Sequence, residues 1–209
     1  MILGPPDIIY CPFCKATYQK QSLISGNTFG GIHFSDGQHF YPMLPSHPEL
    51  TFCDTCNNFF WVKDLESLSN MRDYTGDDDP PFVRWPEQEE WVKSLSMNVF
   101  RDNHEETYIR THLWWVLNNK FRSEGRTRPK NEKFPEELYE ENLFALLRLN
   151  LAKDDQEPLL LAEIYRELGF FEKSLELLNE VKDERLKNIV RQVREKALQK
   201  NPYMFKLTP

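Results

Sequence analysis

The chain has 209 residues, a formal net charge of −7, 40% hydrophobic side chains and 13% aromatic ones. This apolar content is enough for packed cores and speaks against general disorder. The acidic balance works against generic nucleic-acid binding, because phosphate contacts supply most non-specific affinity. The longest apolar runs, such as residues 159–162, are far too short to cross a bilayer. Residues 1–10 have neither the basic n-region nor the apolar h-region of a signal peptide, so a cytoplasmic protein is expected.

Residues 1–68 have β character, with short aromatic and β-branched runs between turn signals. Asp36-Gly37 is the clearest of these signals. It predicts a hairpin with a two-residue turn, in which Phe34 faces His39, Ile32 faces Tyr41 and His33 faces Phe40. Four cysteines fall in two matched pairs, Cys11-x-x-Cys14 and Cys53-x-x-Cys56, with no thiol left over. In a reducing compartment such pairs read as a metal site. Each C-x-x-C turn presents two thiolates, and four soft anionic donors around one ion suit a single structural zinc. Iron in the same donor set, as in a rubredoxin-like electron carrier, is the chemical alternative. The residue after each pair, Lys15 and Asn57, stands where positive φ is expected, which asparagine tolerates better than lysine. The histidines are not expected to ligate. The predicted register sends His33 and His39 to opposite faces, His47 lies between prolines, and His104 and His112 are too far apart along one helix.

Residues 69–102 read as a connecting segment. It contains the aspartate-rich run at 73–81, and the pattern turns helical from Glu87. Burial of Trp85 and Trp91 predicts that residues 82–100 pack back onto the β domain. Residues 103–209 read as an α-helical, tetratricopeptide-like domain. Its predicted helices lie at about 103–122, 135–151, 158–168, 171–181 and 184–200, with Pro135 and Pro158 at starts and Gly169 as a break. The fold class is therefore α+β, a zinc-ribbon-like β domain followed by a helical region. On the first of these helices Ile109, Leu113, Val116, Leu117 and Phe121 form the apolar stripe. Trp115 borders this stripe, and Trp114 falls toward its margin. Arg110, Trp114, Trp115, Asn119 and Arg122 are candidate partner-binding residues. Contact with the β domain explains the tryptophans as well and is the preferred reading, with Trp114 or Trp115 expected near that contact. Arg122, Arg126, Arg128, Lys130 and Lys133 make residues 122–133 a basic loop, the candidate surface if the chain binds nucleic acid.

Ala162, Tyr165, Gly169, Phe171, Leu175 and Leu178 resemble the pattern of one tetratricopeptide helical hairpin, with Ser174 where alanine is common. Across nearly the whole chain, CPFC, SGNTFG, SDG, PMLP, CDTC, FFW, THLWWVLNN, FRSEGR and IYRELG resemble an uncharacterised bacterial family. That family has an N-terminal four-cysteine zinc ribbon and a C-terminal tetratricopeptide-like region. The resemblance implies this layout, and a recurring structural loop at Ser25, Gly26, Asn27 and Gly30. No nucleophile with its base, phosphate-cradling glycine loop or recognisable carboxylate pair stands out. The expected function is therefore non-catalytic: zinc binding combined with protein–protein interaction or scaffolding.

Overall fold

Nine short strands and six α-helices form among the residues that the computed structural model describes, namely 1–44, 46–66, 69–71, 74–76, 79–122, 136–151 and 157–208. The predicted aspartate-rich loop is described only in part, and Arg126, Arg128, Lys130, Lys133 and Pro135 lie outside the described residues. The fold is α+β, with small antiparallel hairpin sheets in the N-terminal part and the helices after them. Two compact units result, one from Met1–Gly31 with Tyr41–Arg101, the other from Ile32–Phe40 with Asp102–Pro209.

In the first unit β2 (Asp7–Tyr10) lies between β3 (Thr17–Lys20) and β9 (Ser69–Asn70). A second ladder pairs β7 (Leu50–Phe52) with β8 (Phe59–Trp61), and a third pairs β1 (Ile2–Leu3) with β4 (Leu23–Ser25). All six residues of β7 and β8 are buried, so both faces of that ladder are covered. Part of the cover is the segment after the aspartate-rich run. Gln19 N–H donates to the Pro81 carbonyl at 2.8 Å and Val83 N–H to the Gln19 carbonyl at 2.9 Å, which extends the free edge of β3. Thr51 Oγ1 donates to the Arg84 carbonyl at 2.8 Å, and Trp61 Nε1 to the Val99 carbonyl at 2.9 Å. Residues 82–100 return to the β domain as expected and Trp91 is buried there, but Trp85 is exposed, contrary to the expected burial of both tryptophans. Helix α1 (Gln88–Ser96) in this segment starts with a capping box between Glu87 and Glu90.

The second unit holds α2 (Asn103–Arg122), α3 (Glu137–Leu151), α4 (Pro158–Glu167), α5 (Phe171–Leu178) and α6 (Lys187–Leu198). Asp102 caps α2 by accepting from Glu105 N–H at 2.9 Å. Helix α4 packs against α3, α5 and α6, which is why six of its ten residues are buried. It ends in a Schellman turn. Gly169 takes φ +84°, its N–H donates to the Arg166 carbonyl at 3.0 Å, and Phe170 N–H donates to the Tyr165 carbonyl at 2.8 Å. Ala162, fully buried, lets α5 approach. Among the described residues no helix is long and apolar enough to cross a membrane.

The hairpin of β5 (Ile32–His33) and β6 (His39–Phe40) belongs to this helical unit, and its register corrects the expected one. Ile32 pairs with Phe40 and His33 with His39. The cause is a three-residue turn rather than a two-residue one. Gly37, at φ +80°, donates its N–H to the Phe34 carbonyl at 3.1 Å, and Phe34 N–H donates to the Gln38 carbonyl at 2.9 Å. This is a type I turn closed by a left-handed glycine bulge. One residue of slip changes every cross-strand partner. His33 and His39 are therefore neighbours on one face, not residues of opposite faces.

Candidate metal centre and the helical face

Two hairpins of the first unit carry the cysteines at their turns, and the two turns repeat one another bond for bond. In the first, Lys15 N–H donates to the Cys11 carbonyl at 3.0 Å and Cys11 N–H to the Ala16 carbonyl at 2.8 Å. In the second, Asn57 N–H donates to the Cys53 carbonyl at 2.8 Å and Cys53 N–H to the Asn58 carbonyl at 2.9 Å. Lys15 and Asn57 both take positive φ, 64° and 58°, as their position after each pair predicts. These constraints turn each pair of thiols toward one point. The four Sγ atoms lie within 4.8 Å of one another, with Cys11–Cys56 at 3.7 Å and Cys14–Cys53 at 3.6 Å. A tetrahedron with metal–sulfur bonds of about 2.3 Å has edges of about 3.8 Å. The thiols are free, not disulfide-bonded, and the set fits one tetrahedral ion.

Burial and hydrogen bonding make the four sulfurs unequal. Cys11 and Cys53 are fully buried within the cluster of Ile9, Tyr18, Phe60, Val62 and Val83, whereas Cys14 is exposed. Burial pushes the Cys11 thiol up to about 12. Burial also opposes ionisation of Cys53. The Tyr18 hydroxyl, donating to its Sγ at 3.2 Å, and the backbone N–H groups of Cys56 and Thr55 outweigh that effect and bring it down to about 6. Four thiolates this close repel one another, and a bound cation is what removes the repulsion. Outside the sulfurs, Arg84 clamps the second turn. Its Nη2 donates to Asp54 Oδ1 at 2.6 Å, and its Nη1 donates to Glu90 Oε2 at 2.7 Å. The guanidinium holds the Asp54 carboxyl below the usual range.

The candidate partner residues of α2 are largely engaged within the helical unit. Trp114 is buried, not marginal, and donates through Nε1 to Glu167 Oε2 at 2.8 Å. Trp115 is half-buried and donates to the Asp36 carbonyl at 2.9 Å. The expected order of the two tryptophans is reversed because α3 and the β5–β6 hairpin together cover a wide arc of α2. Val116 is correspondingly only half-buried, while Asn118 is fully buried. Arg110 pairs with Glu106 at 2.7 Å, and Asn119 is exposed. Arg122 pairs with Asp36 and lies over the Phe34 ring, 4.5 Å from its centroid.

A polar core missed by sequence reasoning runs through this unit. Asp36 is 1% exposed and accepts from Asn118 Nδ2 at 2.9 Å as well as from Arg122. Arg166, fully buried, donates from Nε to Glu163 Oε2 at 2.8 Å and from Nη1 to the carbonyls of Asn201 and Tyr203. Glu167 Oε2 accepts from Trp114, Asn118 and Tyr139, while Oε1 has no hydrogen-bond partner. Burial, reinforced by the charges of Glu163 and Asp36, pushes Glu167 well above the usual carboxylate range. The available signal was the spacing Glu163, Arg166, Glu167, an i, i+3, i+4 set on one face of a short helix with few other polar residues. Comparison with models of protein families, with curated proteins and with solved structures finds no match for the chain.

Proposed function

We propose that the chain is a non-catalytic, zinc-binding protein–protein interaction or scaffold protein, with one structural zinc held by Cys11, Cys14, Cys53 and Cys56. The observation that carries this reading is the pair of equivalent cysteine turns, which set Cys11 against Cys56 and Cys14 against Cys53 at sulfur separations of 3.7 and 3.6 Å, close to the edge of a zinc tetrathiolate. A site closed by four protein ligands offers no open position for hydrolytic chemistry, which supports a structural role. Exposed apolar side chains support a protein partner: Ile2, Leu3, Leu23 and Ile24 on β1 and β4, and Phe29 beyond them. The α4–α5 hairpin would serve as a single tetratricopeptide-like unit within a cytoplasmic, bacterial-type scaffold. A nucleic-acid role through residues 122–133 is less well supported, since Arg122 is committed to Asp36.

Metal analysis of untagged, purified protein tests this reading. The expected result is a colourless protein with about one zinc per chain. Cys11→Ser or Cys56→Ser should release the metal and unfold the cysteine-bearing unit while leaving most helical circular dichroism, because a tetrathiolate zinc contributes folding free energy directly. A red, iron-containing protein would favour the electron carrier, and protein from metal-replete cells with no bound metal would end the zinc reading.

A further inference from the structure

The helical unit carries two histidines set side by side by the corrected hairpin register. His33 and His39 are direct cross-strand partners on β5 and β6, and both are exposed. The hydrogen-bond pattern fixes which kind of pair they form. Phe34 N–H donates to the Gln38 carbonyl across the hairpin, so residues 34 and 38 form a hydrogen-bonded pair. Antiparallel ladders alternate, which makes 33 and 39 a non-hydrogen-bonded pair, the kind whose side chains lie closest, at Cα separations of about 4.5 Å. The backbone agrees: the His33 carbonyl turns away from β6 and accepts from Leu207 N–H at 2.9 Å. The imidazoles stand with centroids 6.2 Å apart and planes tilted by 34°. An ion bound at about 2.0–2.1 Å from a ring nitrogen lies about 3.2 Å from that ring's centroid, so two rings sharing an ion are at most about 6.4 Å apart. The observed separation is inside that limit.

We propose that His33 and His39 form a two-imidazole chelate for a late first-row divalent transition ion, separate from the four-cysteine centre, with water completing the coordination. Imidazole is the donor such ions favour among neutral side chains, and affinity along this series rises toward copper. The hairpin preorganises the chelate. Its turn is fixed by the Gly37 bulge, and Asp36 at its tip is held by Trp115, Asn118 and Arg122. The two rings therefore do not depend on a flexible loop to meet. A chelate of this kind binds more weakly than the closed tetrathiolate and leaves positions open, so its ion would be exchangeable.

Nickel(II) added to zinc-loaded, full-length protein is the probe, followed by paramagnetic broadening of the ring signals of the five histidines. The expected result is that His33 and His39 broaden together, below one equivalent, ahead of His47, His104 and His112. Replacing either one, as His33→Gln or His39→Gln, should weaken nickel binding at the other by at least about tenfold, because the second arm acts at high effective concentration. The amide spectrum and zinc content should stay as in the parent, since both side chains are exposed. Broadening of the two rings with unchanged affinity in each single variant would show two independent surface imidazoles and overturn the chelate. So would broadening in no preference to the other three histidines.

Discussion

Tyr18 reaches the metal centre from β3, and its hydroxyl is the one side-chain donor to a cysteine sulfur found among the described residues outside the cysteines themselves. Such outer partners orient a ligand and spread its charge, and their loss typically weakens metal affinity about 10–100-fold. Tyr18→Phe removes the hydroxyl while keeping the ring packed against Phe60, 5.8 Å away between centroids. The variant is expected to fold and bind zinc, with affinity lowered about tenfold in a chelator competition. Unchanged affinity would reduce Tyr18 to a packing residue. The cysteines themselves were legible from spacing alone, and so were the positive φ values of Lys15 and Asn57, because a C-x-x-C turn imposes local geometry. Tyr18 was not, because its role depends on Cys53, which is distant in sequence and meets it only once the two hairpins are folded.

The helices were equally legible, since apolar periodicity and stop signals such as Gly169 act over a few residues. The α2 bounds, Asn103–Arg122, coincide with the predicted ones. The β5–β6 hairpin shows where local reading ends. Asp-Gly suits both a two-residue and a three-residue turn, and the choice is made by contacts that the hairpin's own residues do not reveal. Ser35 N–H donates to the Phe205 carbonyl at 2.9 Å, Phe205 N–H donates to Ser35 Oγ at 3.1 Å, and Asp36 is drawn in among Asn118, Arg122 and Trp115. Asp36 thus fastens the hairpin to the helices. Asp36→Ala leaves the Arg122 guanidinium without its carboxylate and the Asn118 amide with Glu167 as its remaining acceptor, in a largely buried setting. The change is expected to destabilise the helical unit by roughly 3 kcal/mol and to raise amide exchange in residues 32–40. Denaturant titration with hydrogen-exchange mass spectrometry checks both. A loss below about 1 kcal/mol, of the size of an exposed ion pair, would contradict this account.

In the polar core of the described helical unit Asp36 pairs with Arg122 and Glu163 with Arg166, and Glu167 is a third carboxyl of the same cluster. Glu167 approaches Arg166 only to 3.6 Å, and that guanidinium is already spent on Glu163. A neutral Glu167 therefore leaves two carboxylates to the two guanidiniums of this cluster, in line with the raised pKa. A group raised in the folded state contributes stability that is full below its unfolded value, near 4.5, and is lost as pH rises toward the folded value. His112 acts in the opposite sense. Its ring lies between Tyr108 and Trp115, with Nδ1 donating to the Tyr108 carbonyl at 2.9 Å. Burial pushes its pKa down from 6.5 to about 4, so its contribution is present above pH 6.5 and is lost as pH falls toward 4. The two trends oppose one another between about pH 4.5 and 6.5, and the wild-type profile there should be shallow. Glu167→Gln separates them. Because Gln resembles the neutral acid and cannot ionise in the unfolded chain, the variant should match wild type near pH 4.5 and be more stable than wild type at pH 7, where the contribution of Glu167 has been lost. From pH 6.5 down to 4.5 it should lose stability more steeply than wild type, because the opposing contribution of Glu167 is gone while that of His112 remains. Thermal or denaturant unfolding followed by far-ultraviolet circular dichroism, at half-unit pH steps, reads both quantities. A loss of roughly 3 kcal/mol or more at pH 7, the cost of stripping one partner from a buried ion pair, would mean that Glu167 is ionised in the native protein and that the charge balance drawn here is wrong.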